Sequence, residues 1–290
     1  MKRCVLWILI LLILLLGMTA CAETASIGEK EYNTDLEYID FGDETVQIDS
    51  LIPFLQSMPL LKKVDMFATI IEAADADRLT ELFPEIEFGW TIHLVRKHYV
   101  RTDQTAFSTL HGNCNCHFAA DLAGLKYCKK LKALDLGHNY IKDLSFLSEL
   151  TELRVLILAC NTFTDISVLE NMNKLEYLEL FTNKIPGDLS PLKGMTHLLD
   201  LNISNCYKIT DVSELYDLKQ IKRLWMTHTH VKLTKAKRAE IQEAFPDAEI
   251  NFDAVNPTAG GWRKHPHYDV IQKMFASGEY IPFEDSYVEE

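Results

Sequence analysis

The stretch LKALDLGHNYIKDLSFL, Leu131–Leu147, returns as LRVLILACNTFTDISVL from Leu153 and as LEYLELFTNKIPGDLSPL from Leu175. Both intervals are 22 residues, and the same step carries Leu136 to Leu158 to Leu180 and Asn139 to Asn161 to Asn183. Two further returns, LLDLNISNCYKITDVSEL from Leu198 and IKRLWMTHTHVKL from Ile221, are each displaced by 23, with the extra residues at Pro186-Gly187 and before Ile209. In L-x-L the leucines alternate onto one face of a short strand and point inward. The asparagines stand where the chain turns and can bond backbone groups that would otherwise lack partners. No single turn can bury its own leucines, so neighbours must stack into a solenoid with a parallel sheet.

Five registered copies of L-x-x-L-x-L-x-x-N-x-I resemble the leucine-rich repeat family, in the short bacterial form seen in internalin-like surface proteins. Cys206 stands for Asn in the fourth copy, an accepted alternative there, and Thr229 in the fifth. The resemblance implies an α/β fold: a right-handed solenoid with a curved parallel sheet, short helical or irregular returns, and capping units at both ends. Asp143, Asp165, Asp188 and Asp211, each followed by an apolar residue, are expected to turn the chain into its return segments.

Outward from the repeats the pattern weakens. LEYIDF from Leu36 and LKKVDM from Leu61 read as degenerate early turns 25 residues apart. DADRLTELF from Asp75 predicts a helix capped by Asp75, with Leu79, Leu82 and Phe83 on one face and Pro84 as its end; IEFGWTIHL then alternates as a strand. Val64–Met66, that helix and Glu85–Trp90 find a counterpart in Leu224–Met226, a helix ending Phe245-Pro246, and Asp247–Phe252, which predicts strand–helix–strand units closing both ends of the solenoid. Residues 100–124 lapse from the repeat and read as an added strand and loop at one edge. The organisation expected is therefore a leader over 1–20, a polar tether over 21–33, early turns and insertion over 34–124, the repeat domain over 125–253, and a docking tail over 254–290. In the tail, Pro257–Gly261 is a joint, and Pro266 opens a helix with Tyr268, Ile271 and Phe275 on one side and Gly278 at its end.

The leader is basic at Lys2-Arg3, apolar from Val5 to Leu16, and small-residued before Cys21. It resembles a bacterial lipobox, which implies lipidation of Cys21; Ala20-Cys21-Ala22 also fits a secretory cleavage site, and an uncleaved anchor is the third reading. Each places the repeats outside the cytoplasm. Net charge of −13 disfavours nucleic acid and anionic lipid as partners. A membrane contact is therefore expected only through the N-terminal anchor, and the chain is expected to be a monomer.

Chemistry is sparsely signalled. There is no G-x-S-x-G, G-K-[ST] or H-E-x-x-H, so no enzyme and no cofactor are expected. His111, Cys114, Cys116, His117 and Cys128 lack the spacing of a standard zinc module, although a metal-dependent or enzymatic module centred on 101–128 stays open as an alternative, as does a structural envelope role. Cys128 can pair with Cys114 or Cys116, or remain a thiol. His228 and His230 read as surface histidines.

Between the inward leucines, alternation faces Val155, Ile157, Tyr177, Glu179, Phe181, Asn202, Arg223, Trp225 and His228 to the opposite, concave side. Apolar residues there are out of place unless covered. Two readings follow: a contact surface for a protein or glycan partner, or a seat for the C-terminal tail. On the first, exchanging Tyr177, Phe181 and Trp225 together for Ser abolishes binding of a captured partner and leaves the melting temperature nearly unchanged. Trp262, Arg263, Lys264, His265 and His267, the compact basic-aromatic cluster of an acidic chain, are expected to dock on the final repeat or to meet an acidic partner.

Overall fold

The computed structural model describes residues 23–94, 98–110 and 117–283; the leader, Cys21, His111, Cys114 and Cys116 lie outside them. The described residues form two compact units, one of residues 23–70 and 74–90, the other of residues 71–73 and those from 91 to 283. The described residues among 91–124, grouped by sequence with the early turns, thus belong to the solenoid unit.

In the first unit β1 (Thr24–Ile27) and β2 (Lys30–Asn33) make an antiparallel hairpin with Thr24 opposite Asn33 and Gly28 at φ 61° in the turn. The tether expected over 21–33 is folded from residue 24 onward. Ala25 is buried, and the Tyr32 ring meets Phe41 and Phe54 edge-on at 5.9 and 5.5 Å, anchors that a search for periodicity overlooks. Helix α1 (Ile48–Gln56) buries Leu51, Phe54 and Leu55. Strand β3 (Tyr38–Asp40) runs parallel to β4 (Lys63–Ile71) with Tyr38 opposite Lys63, the expected displacement of 25. Helix α2 (Ala73–Leu82) stops before Pro84, where the ring forbids continuation. It begins two residues before Asp75, whose charge therefore sits in the first turn and suits the positive end of the dipole. Leu82, expected on the buried face, is exposed. Strand β5 (Glu87–Leu94) follows.

In the second unit, Thr91–Leu94 of β5 pair antiparallel with β6 (His98–Arg101). The rest is built on seven parallel strands: β7 (Ala106–Ser108), β8 (Ala133–Asp135), β9 (Val155–Ile157), β10 (Tyr177–Glu179), β11 (Asp200–Asn202), β12 (Arg223–Trp225) and β13 (Glu249–Asn251), side by side in chain order. Leu134, Leu156, Leu178, Leu201 and Leu224 align as one rung ladder. They are fully buried with the flanking leucines, so every coil completes the core of its neighbours. Strand β7 had gone unread as a repeat because Phe107 aligns with Leu134 and polar Thr109 stands two places on, where the next coil has Leu136. Short 3-10 turns bring the chain back between strands. Each of those four is opened as expected by an aspartate, Asp143, Asp165, Asp188 or Asp211, whose Oδ1 accepts from the serine N–H two residues on at 2.9, 2.8, 2.9 and 3.2 Å. Helix α3 (Lys235–Ala244), capped by Thr234 Oγ1 accepting from Lys237 N, links β12 to β13, so both strand–helix–strand units read from the duplication exist. Helix α4 (Pro266–Ser277) has the expected bounds, with Gly278 at φ 76° ending it.

Candidate functional site

The asparagine corners do what their position requires. Asn161 Nδ2 donates to the carbonyls of Leu136 and Leu158 at 2.9 and 3.1 Å while its Oδ1 accepts from Ile141 N at 3.0 Å. Asn183 Nδ2 repeats the two donations one coil later, and in the next the Cys206 thiol donates to Leu180 O at 3.3 Å. The residue before each corner is held left-handed: His138, Cys160, Thr182, Asn205 and His228 have φ between 54° and 59°. Their backbone N–H groups continue the sheet ladder, His138 to Ala159 O, Cys160 to Phe181 O, Thr182 to Ser204 O and Asn205 to Thr227 O. A row of side chains therefore projects along one edge of the sheet, beside the residues after the corners. Of these Tyr140 and Tyr207 are about half exposed, as is Phe118, which stacks on Tyr140 at 5.7 Å.

The broad face is a different matter. Val155, Ile157, Tyr177, Glu179, Phe181, Asn202, Arg223 and Trp225, expected to form an open concave site, are all buried, and of that set His228 alone is exposed. The cover is the C-terminal segment: Trp262, Val270, Ile271, Met274 and Phe283 pack into one cluster with Val155, Ile157, Tyr177, Phe181 and Trp225. The tail docks across the whole sheet rather than on the final repeat alone. The correction has a physical cause, since a face bearing Val, Ile, Tyr and Trp gains about 25 cal/mol for each Å² it removes from water. The tail's burial runs along His267, Val270, Ile271 and Met274, one residue off the expected stripe of Tyr268, Ile271 and Phe275, because His267 is drawn inward.

What draws it inward is charge. Glu179 and Asp200 are fully buried carboxylates on adjacent strands. Trp262 Nε1 donates to Glu179 Oε1 at 2.8 Å, Arg263 Nη2 to Oε2 at 2.7 Å, and the Tyr177 hydroxyl also donates to Oε1. Asp200 accepts from Arg223 Nε at 2.6 Å and bonds His267 Nδ1 through its other oxygen. Burial raises the Asp200 pKa, but the His267 and Arg223 hydrogen bonds outweigh it and hold the group below the usual carboxylate range. The Arg223 guanidinium lies 4.4 Å from the Trp262 ring, and its Nη1 donates to Trp262 O. Asn202 Nδ2 donates to Pro257 O and Trp225 Nε1 to Ala259 O, so the joint is fixed too. The basic-aromatic cluster of the tail thus finds its acidic partner within the same chain.

The segment around residues 101–128 forms no metal centre among the described residues: no three His, Cys, Asp or Glu converge there. His117 and His98 are buried and hydrogen-bonded ring to ring at 2.9 Å. Cys128, Cys160 and Cys206 are free thiols, and burial pushes Cys206 up to about 12. His230 is exposed and packs against Tyr207. No described helix is long and apolar enough to cross a membrane.

Models of the leucine-rich repeat family match residues 151–194, as two copies, and residues 127–144. No match is found among curated proteins. Solved structures similar to the chain include an internalin C2 from Listeria monocytogenes, at 18% identity over 76% of this chain and 82% of that one with a TM-score of 0.39. An internalin F from the same organism has 18% identity over 79% and 87%, with a TM-score of 0.36. By stacked coils, asparagine corners and matched repeats together, the second unit is a leucine-rich repeat solenoid.

Proposed function

We propose that the protein is an extracytoplasmic leucine-rich repeat protein, lipid-anchored at Cys21, that binds a protein or glycan partner by surface complementarity and without chemistry. The anchor rests on the basic, apolar and small-residue order of the first 21 residues. The binding reading rests on the repeats, and its location is carried by one observation: the broad face is taken by the tail while the edge beside it stays open. Along that edge His138, Thr182 and His228 are exposed, next to the half-exposed rings of Phe118, Tyr140 and Tyr207. Rigid aromatics beside adaptable polar groups are the composition that concentrates binding energy in protein interfaces.

The test is site-specific photo-crosslinking on intact cells, with the reactive group placed at Tyr140 or Tyr207 and, as controls, at Glu149 or Glu170 in the return segments. One partner captured from both edge positions and from neither control is the expected result, together with loss of membrane association in Cys21→Ala. Capture from the return segments alone sinks the edge as the site. A Cys21→Ala protein that stays membrane-bound sinks the anchor.

A further inference from the structure

Between the edge and the tail the sheet face is hollow. One outward column of the sheet reads Gly137, Ala159, Phe181 on successive coils, so two small residues leave space that the ring of the third walls off. The tail bridges above without filling it, and a cavity of about 440 Å³ results, bounded by Asp135, Ile157, Phe181, Pro257, Arg263 and Tyr268, with His138 and Cys160 at its margin. That is room for a side-chain-sized ligand.

The cavity holds one buried carboxyl group without a basic partner. Asp135 is 2% exposed. Its Oδ1 accepts from Gly137 N at 2.9 Å and its Oδ2 from Ser108 Oγ at 3.3 Å, and among the described residues no basic group forms an ion pair with it. The charged neighbours are Glu179 and Arg263, and these two neutralise each other at 2.7 Å. Once Asp135 is ionised, the cavity therefore carries one negative charge in excess, against apolar walls and two aromatic rings. A buried carboxylate left unpaired is costly, and a cation of the right size removes the cost. A carboxylate ligand reaching the unpartnered Arg263 Nη1 would instead set a third acid around one guanidinium.

We propose that this cavity receives a primary ammonium group on a short apolar stem, with Asp135 as its counter-ion, whether the stem is a lysine side chain of a polypeptide or a free alkylamine. Burial holds the Asp135 pKa up at about 7, so a bound cation stabilises the ionised form near neutrality and binding strengthens as pH rises through that region.

The experiment is calorimetric titration of the full chain in detergent with acetyl-Gly-Lys-Gly-amide, n-butylamine, the side-chain-acetylated peptide and butyrate. Saturable one-to-one binding of the lysyl peptide or of butylamine is expected, stronger at about pH 8 than at about pH 6. Which of the two binds more tightly identifies the source of the ammonium. Asp135→Asn weakens the affinity by about tenfold or more, and Gly137→Val, whose Cβ would stand 3.2 Å from Asp135 Oδ1 and whose methyl groups take up the space beside a retained carboxyl, abolishes it. Thermal unfolding verifies that both variants fold; should Asp135→Asn fail to, Gly137→Val decides. The proposal is overturned if neither amine saturates, if the acetylated peptide or butyrate binds as well, or if affinity survives both substitutions.

Discussion

Asp135 and His265 give the molecule opposite responses to acid. Burial raises Asp135 to about 7, so the folded state binds a proton that the unfolded chain has released; stability from this group is full below about pH 4 and is lost as pH rises through 7. His265 is lowered to about 4, by burial first and then by its neighbours Arg223 and His267, so its contribution is full above pH 6.5 and is lost as pH falls toward 4. Asp135→Asn should therefore raise the melting temperature at about pH 8 and change it little at about pH 4. His265→Gln should flatten the decline in the same scan between about pH 6 and pH 4. At the corners, Asn161→Ala takes from buried Ile141 N its acceptor, while Leu136 O and Leu158 O keep Asn139 and Asn183 as donors, at a cost of about 2 kcal/mol, which corresponds to a melting temperature lower by about 4–8 °C.

Among the elements, the tail helix and the strands beneath it determine each other. With Tyr177 and Trp225 fully buried and Phe181 nearly so, the triple exchange to Ser that an open face would tolerate should instead cost more than about 5 kcal/mol, because single large-to-small changes of this kind cost about 3–5. Chemical denaturation measures it, and an unchanged midpoint would mean the rings are exposed in solution. The solenoid was legible from the sequence because one 22-residue period placed leucines, corner asparagines and turn aspartates together. Strand β7 was not, since Phe107 and Thr109 break the leucine pattern while keeping the ladder. The hairpin of residues 24–33 was hidden because Ala25 and Tyr32, not an alternation, tie it down. The candidate site was half legible: alternation found the apolar face, but the pairing of Glu179 with Trp262 and Arg263 joins residues 83 and 84 positions apart, which no local pattern reports.

At the level of the whole solenoid unit, the C-terminal segment acts as a structural layer. It reaches the first strand of the sheet as well as the middle ones, for Gly278 O accepts from Ala106 N at 3.0 Å and Tyr280 N donates to Thr105 Oγ1 at 2.8 Å, partly satisfying an otherwise open edge. Ending the chain after Phe252 should expose Tyr177, Trp225, a Glu179 without its Trp262 and Arg263 donors, and an Asp200 left with Arg223 alone. Binding of an apolar-surface dye and a melting temperature lower by more than about 10 °C are expected. The measurement that bears most directly on the covered face is carbodiimide labelling of carboxylates in the intact chain, read residue by residue by mass spectrometry. Glu179 and Asp200 should stay unlabelled on the timescale on which Asp143, Asp165 and Glu170 react fully; labelling of Glu179 and Asp200 at the rate of those exposed carboxylates would contradict the account.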